Sequence, residues 1–181
     1  MRMDFSTLAP LWADQLPSSP LGPLTVVVSE VGLVRLDFAA LPAAIGELRP
    51  WLAPAAQIAP HHLAEALEQL DDYLGGRRRE FDLTIDWRAM PEFSARALQA
   101  AAAIPCGQVL TYGELAHRLG LVNGARAVGQ AMASNPIPIV LPCHRVVGAD
   151  RRLHGYSGLY GIETKAWLLK LEGSTFQSQL F

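Results

Sequence analysis

Between Asn135 and Val147 the chain reads Asn-Pro-Ile-Pro-Ile-Val-Leu-Pro-Cys-His-Arg-Val-Val, an apolar run punctuated by Pro136, Pro138 and Pro142. Each proline removes a backbone donor and fixes φ, so the run can be neither a helix interior nor a central strand. It must fold as a stiff loop, and that loop delivers Cys143 beside His144 and Arg145. Cysteine attacks as its thiolate, and a neighbouring imidazole or guanidinium lowers its pKa from about 8.5 toward neutrality. The adjacency predicts a sulfur that is ionised at neutral pH. Most free cysteines are instead small buried thiols, so the surrounding sequence has to decide between the two.

Before the loop lie the signals of a helix-turn-helix. Tyr112 to Leu119 reads as a short helix, Gly120 to Gly124 as the turn, and Ala125 to Ser134 as a second helix that Asn135-Pro136 ends. The second helix carries Ala125, Ala127, Gly129, Ala131 and Ala133 around one long basic side chain, Arg126. With Gly124 just before it, this low profile would let the backbone approach a partner closely. Arg126 near the helix start would face an anionic groove together with the positive end of the dipole. Upstream, Glu92 to Ala103 is an alanine-rich helix stopped by Pro105 and Gly107. Downstream, Val146 to Leu153 reads as a strand and turn suited to a wing bearing Arg151 and Arg152, and a last helix spans about Ile162 to Leu171.

The first half has a different character. Leu24–Val28 and Leu33–Phe38 are strand-like runs separated by Ser-Glu-Val-Gly, a hairpin signature. The segment from Leu41 to Pro60 has no period, after which Leu63, Leu67, Leu70 and Leu74 recur at helical spacing up to Gly75-Gly76. This helix is expected to cover a small sheet. Phe81 to Trp87 alternates like another strand, and Arg88 to Pro91 is the natural boundary, giving domains 1–90 and 91–181. Charge divides at the same place: residues 1–90 hold seven basic and twelve acidic side chains, and residues 91–181 hold eight and five. A chain of net charge −2 can therefore present a cationic face to phosphates through its second half.

With 50% hydrophobic and 18% charged residues the chain is an ordinary globular protein. It shows neither a leader-like start nor an apolar run of about 18 residues, so a cytoplasmic protein with no membrane contact is expected. In such a reducing compartment Cys106 and Cys143 should both be free thiols. No cysteine or histidine cluster has zinc-like spacing, so no metal is expected.

Six ordered motifs carry a resemblance. They are Thr111-Tyr-Gly-Glu-Leu-Ala, Ala125-Arg-Ala-Val-Gly-Gln-Ala-Met, Asn135-Pro-Ile-Pro, Pro142-Cys-His-Arg-Val, Gly155-Tyr-Ser-Gly and Leu168-Leu-Lys-Leu-Glu-Gly173. The chain resembles the O6-alkylguanine-DNA alkyltransferases, also called methylated-DNA-protein-cysteine methyltransferases, strongly from about Phe93 to Gly173 and more weakly before. The resemblance implies an α/β N-terminal domain of ribonuclease-H-like topology and a mainly α, winged helix-turn-helix C-terminal domain. It implies a monomer that binds double-stranded DNA, flips out an O6-alkylguanine and moves the alkyl group irreversibly to Cys143, once per molecule and without a cofactor.

The same resemblance gives roles to single residues. His144 would take the thiol proton through a water, Glu172 would orient the imidazole, and Tyr112 would protonate or hydrogen-bond the departing base. Arg126 would fill the space left in the duplex, with Ala125, Ala127, Thr111 and Gly113 along the DNA face. Val146, Tyr156 and Ser157 would line the base pocket, Tyr156 as a lid, and Asn135 would be the hinge between recognition helix and active loop. One departure is a longer Gly158–Ile162 loop, which would alter that lid. A winged-helix regulator would leave Cys143, His144 and Glu172 idle, and a cysteine hydrolase would give Arg126 nothing to do.

Overall fold

The computed structural model describes residues 5–150, 152–153, 155–156 and 158–174. They form two compact units that divide between Met90 and Pro91.

In the first unit, strands β1 (Trp12–Leu16), β2 (Leu24–Val28) and β3 (Leu33–Asp37) form an antiparallel sheet in that order. The central strand β2 is Leu-Thr-Val-Val-Val with every residue buried, which is why it runs on from Leu24 through four β-branched residues instead of alternating. Thr25 tolerates burial because its hydroxyl donates to the Ala39 carbonyl at 2.8 Å. The predicted hairpin is present, closed by the Ser29 N–H donating to Gly32 O at 2.9 Å. A short helix, α1 (Leu41–Ala44), precedes α2 (His61–Leu74), which lies against all three strands through Leu63, Ala66, Leu70, Tyr73 and Leu74. Phe5, Leu8, Leu11 and Leu48 pack on Val27 and Val34.

Two features of this unit differ from expectation. Strand β1 has no signature of its own, since Trp-Ala-Asp-Gln-Leu neither alternates nor is β-branched; pairing with β2 from Trp12↔Val28 to Leu16↔Leu24 makes it a strand. The predicted strand over Phe81–Trp87 shrinks to one bridge, Leu33↔Ile85. Its extension stops at Asp86, whose carboxylate accepts from Ser29 Oγ at 2.6 Å and from the Arg88 backbone and guanidinium, turning the chain into a 3-10 turn at Trp87–Ala89.

In the second unit α3 (Glu92–Ala102), α4 (Tyr112–Arg118) and α5 (Ala125–Ala133) pack on one another. Helix α4 starts where it does because Thr111 and Glu114 form a reciprocal capping box, at 3.1 and 2.6 Å. Gly124 is small for an internal reason: a Cβ there would lie 2.6 Å from the Leu121 Cβ and 3.1 Å from the Ala116 Cβ. Strands β4 (Leu110–Thr111) and β5 (Val146–Val147) pair in parallel. Beyond β5 the Gly148 N–H donates to Arg152 O at 3.1 Å, forming the expected turn, and no further strand follows among the described residues. Of the two wing arginines, Arg152 is exposed beside Asp150 and Arg151 lies outside the described residues. Helix α6 (Ile162–Leu171) packs on the turn that carries Cys143. No described helix is long and apolar enough to cross a membrane.

Candidate functional site

The site is built on the proline-rich loop between α5 and β5. Asn135 staples its two ends: its Oδ1 accepts from the Ile137 N–H at 3.0 Å while its Nδ2 donates to Leu141 O at 2.7 Å. Between them Ile139 is held at φ +75°, a conformation that β-branched residues adopt only when their surroundings enforce it. Pro142, at φ −81° and ψ 62°, is the centre of an inverse γ-turn in which the Cys143 N–H donates to Leu141 O at 2.8 Å. A single 3-10 turn, Cys143–Arg145, follows.

This geometry places the Cys143 sulfur 3.1 Å from Asn135 Nδ2 and leaves the residue only 4% exposed. Burial pushes the thiol pKa up; the Asn135 amide, the Lys165 charge and the backbone N–H groups of Cys143 and His144 pull it down, and burial wins. In the resting protein the sulfur is a neutral thiol, which corrects the expectation of a standing thiolate. Burial is the reason, and the Arg145 guanidinium, which the sequence sets two residues from the sulfur, is committed elsewhere. It grips Glu172 (Nη2–Oε1 2.7 Å; Nε at 3.1 Å from both oxygens) and donates to Ile104 O at 2.6 Å.

His144 is fully buried, and its Nε2 lies 2.9 Å from Glu172 Oε1. A carboxylate accepts, so the proton belongs on Nε2. That leaves a lone pair on Nδ1, which is buried with no protein partner among the described residues. Burial lowers the His144 pKa, against the opposing pull of Glu172 and with help from the Arg145 and Lys165 charges. The ring is therefore a neutral base whose accepting nitrogen is vacant. Glu172 stands at the end of α6, and Arg145, His144 and the Gly107 N–H (3.2 Å from Oε2) satisfy its carboxylate. Gly107 has φ +80°, and a Cβ on it would come within 3.0 Å of Glu172 O.

Tyr112 opens α4 with its ring beside Gly129, where an added Cβ would lie 3.9 Å from the ring. Burial and then the Cys143 charge raise its phenol pKa, so it remains a donor. Lys165, which the sequence analysis did not single out, completes the cluster. Its side chain is buried, its Nζ donates to Val146 O at 2.6 Å and lies 5.7 Å from the Tyr112 ring centroid. Burial lowers its pKa to about 8, and the nearby sulfur offsets part of that loss. A signal existed: Lys165, Leu168, Leu169 and Glu172 repeat at i, i+3, i+4 and i+7 and so share one face of α6.

The other expected residues divide into three groups. Ala125, Arg126 and Gly113 are exposed and Ala127 and Thr111 half-buried, with Thr111 also committed to its cap. Val146 is buried, and its carbonyl serves Lys165. Tyr156 is half-buried with its hydroxyl sealed from solvent, while Ser157 lies outside the described residues. Cys106 is a half-buried free thiol.

Two family models account for most of the chain. Residues 92–174 match that of the 6-O-methylguanine DNA methyltransferase DNA-binding domain, and residues 14–87 that of the 6-O-methylguanine DNA methyltransferase ribonuclease-like domain. A methylated-DNA-protein-cysteine methyltransferase from Mycobacterium bovis is 39% identical over 162 residues, covering 90% of this chain and 93% of that protein. Its counterpart from Methanosarcina acetivorans is 37% identical over 156 residues, 86% and 95% of the two chains. Among solved structures, Mycobacterium tuberculosis OGT in complex with DNA superposes with a TM-score of 0.74 at 38% identity, covering 89% of this chain and 92% of the other.

Proposed function

Because the chain belongs to the methylated-DNA-protein-cysteine methyltransferase family, we propose that it repairs DNA by moving an alkyl group from O6 of guanine to its own Cys143. The observation that carries this reading is the buried thiol held by Asn135 in one cluster with a neutral histidine whose Nδ1 is vacant. A methyl carbon on oxygen is a poor electrophile, so the thiol must be ionised at the moment of attack. The vacant Nδ1 takes the thiol proton, through one water, as the alkylated base arrives. The new thiolate inherits the Asn135 amide, two backbone N–H groups and the Lys165 ammonium, all already in place. Such preorganised donors stabilise charge without reorganising during reaction. The imidazolium formed is balanced by Glu172, which Arg145 holds fixed.

Sulfur attacks the alkyl carbon opposite the departing oxygen. The C–S bond forms, the C–O6 bond breaks, and the electron pair leaves with the purine, which Tyr112 neutralises with its proton. A stacked base cannot present its alkyl carbon in line, so the nucleotide must be extruded. Arg126 fills the vacated stack while the small residues Ala125, Ala127 and Gly113 keep the surface low enough for the minor groove, with Thr111 at its edge. Val146, Tyr156 and Ser157 form the base pocket. The thioether has no route back, so the protein acts once, as a cytoplasmic monomer that needs no cofactor.

Intact mass spectrometry after incubation with a duplex containing O6-methylguanine tests this. Cys143 should exchange its thiol hydrogen for one methyl, at most once per chain, and Cys143→Ser should gain nothing. No adduct, an adduct on Cys106, or repair of more lesions than protein present would sink the reading.

A further inference from the structure

Tyr156 is carried on a segment of unusual backbone, between Gly155 at φ +28° and a turn with Leu159 at φ +32° and Gly161 at φ +61°. Its hydroxyl is sealed from solvent and has no hydrogen-bond partner among the described residues. An unmatched buried hydroxyl is unfavourable, and a catalytic role is one of the reasons a native structure keeps one. Burial, and after it the charge that Cys143 carries once ionised, holds the phenol protonated. The hydroxyl is thus a donor awaiting an acceptor, within electrostatic reach of the sulfur that attacks.

In an in-line displacement the reacting atoms start about 3 to 3.5 Å apart. The leaving oxygen is one bond beyond the carbon, about 5 Å from the sulfur, and is the atom on which negative charge grows. Tyr112 supplies the proton that neutralises the departing base. We propose that the Tyr156 hydroxyl donates a hydrogen bond to O6 of the departing purine, so that two phenols share the charge that leaves with it. This rests on the alkyl-transfer reading above. The bookkeeping is unchanged: the sulfur pair forms the C–S bond and the C–O6 pair goes to the purine. The thiol proton is held on His144, Tyr112 supplies the proton that neutralises the base, and Tyr156 keeps its own. Before the base enters, the donor is unmatched; in the transition state it is matched, which is the differential interaction that speeds a reaction.

The test is Tyr156→Phe, which deletes only the oxygen. Single-turnover methylation of Cys143 from an O6-methylguanine duplex, at saturating DNA, should slow by about 100-fold, the cost of one such donor. Duplex affinity should be unchanged and the melting temperature equal or higher. A duplex carrying S6-methyl-6-thioguanine, whose leaving sulfur accepts hydrogen bonds poorly, should show a loss of only a few-fold. Transfer from the oxygen substrate at the wild-type rate overturns the proposal, and so does an equal slowing on both substrates, which marks a packing role alone. A wild-type protein that fails to methylate Cys143 sinks the alkyl-transfer reading itself.

Discussion

Replacing Arg145 by methionine separates what holds the site together from what makes it react. Arg145 and Glu172 are a buried pair with contacts at 2.7, 3.1 and 3.1 Å, and the guanidinium also closes off the Ile104 carbonyl. Removing one partner of such a pair costs about 3–5 kcal/mol, because a buried carboxylate loses most of its compensation. For a unit of residues 91–181, with roughly 4–8 °C of melting temperature per kcal/mol, a fall of at least about 12 °C is expected. The chemistry should shift as well. The Arg145 charge is one of the causes that lower the His144 pKa, and Glu172 is the cause that raises it. Arg145→Met therefore raises the His144 pKa, and since only the neutral ring can accept the thiol proton, the acid limb of the rate profile moves to higher pH.

Thermal melting and single-turnover mass spectrometry from about pH 5.5 to about pH 8.5, on either side of the ordinary histidine value of 6.5, would measure both effects. The variant should lose proportionally more rate at the acid end. A companion, Arg145→Met with Glu172→Met, removes both charges; it should recover part of the stability and none of the rate. An Arg145→Met protein that melts with the wild type, or whose pH profile is unmoved, would refute the argument.

Three further outcomes are expected. Asn135→Ala cuts the bonds to Ile137, Leu141 and Cys143; it should cost about 1–3 kcal/mol in denaturant unfolding and slow transfer, and a fast variant would remove Asn135 from the site. Lys165→Met should slow transfer at least tenfold without lowering stability, because moving its pKa from 10.5 to about 8 marks roughly 3 kcal/mol against the buried ammonium; a full-speed variant would show that the thiolate needs no cation. His144 has a folded pKa below its unfolded 6.5, so the stability from its neutral form is complete above that value and is lost as pH falls below it. Melting from pH 8 down to 5 should show this slope, flattened in His144→Gln; identical slopes would assign the acid sensitivity elsewhere.

Much of this could be read from residue order because the physics is local. Helix α2 follows from leucine spacing and a Gly-Gly stop, α4 from Thr111 and Glu114, the end of α5 from Asn135-Pro136, and the active loop from three prolines. What escaped was set by partners distant in sequence. Strand β1 exists because β2 accepts it, whereas Phe81–Trp87 finds only one residue to pair with and then turns at Asp86. At the site, the residues themselves named the thiol and the imidazole, since their chemistry is intrinsic to the side chains, whereas Glu172 came only through the family resemblance, because its partners His144 and Arg145 lie 28 and 27 residues away in sequence. Only the tertiary structure decided their charge states: burial keeps Cys143 a thiol and His144 a base, Arg145 is turned to Glu172, and Lys165 from α6 supplies the cation. Reactivity depends on desolvation and on the direction of neighbouring charges, and both are properties of packing in space, which adjacency along the chain does not encode.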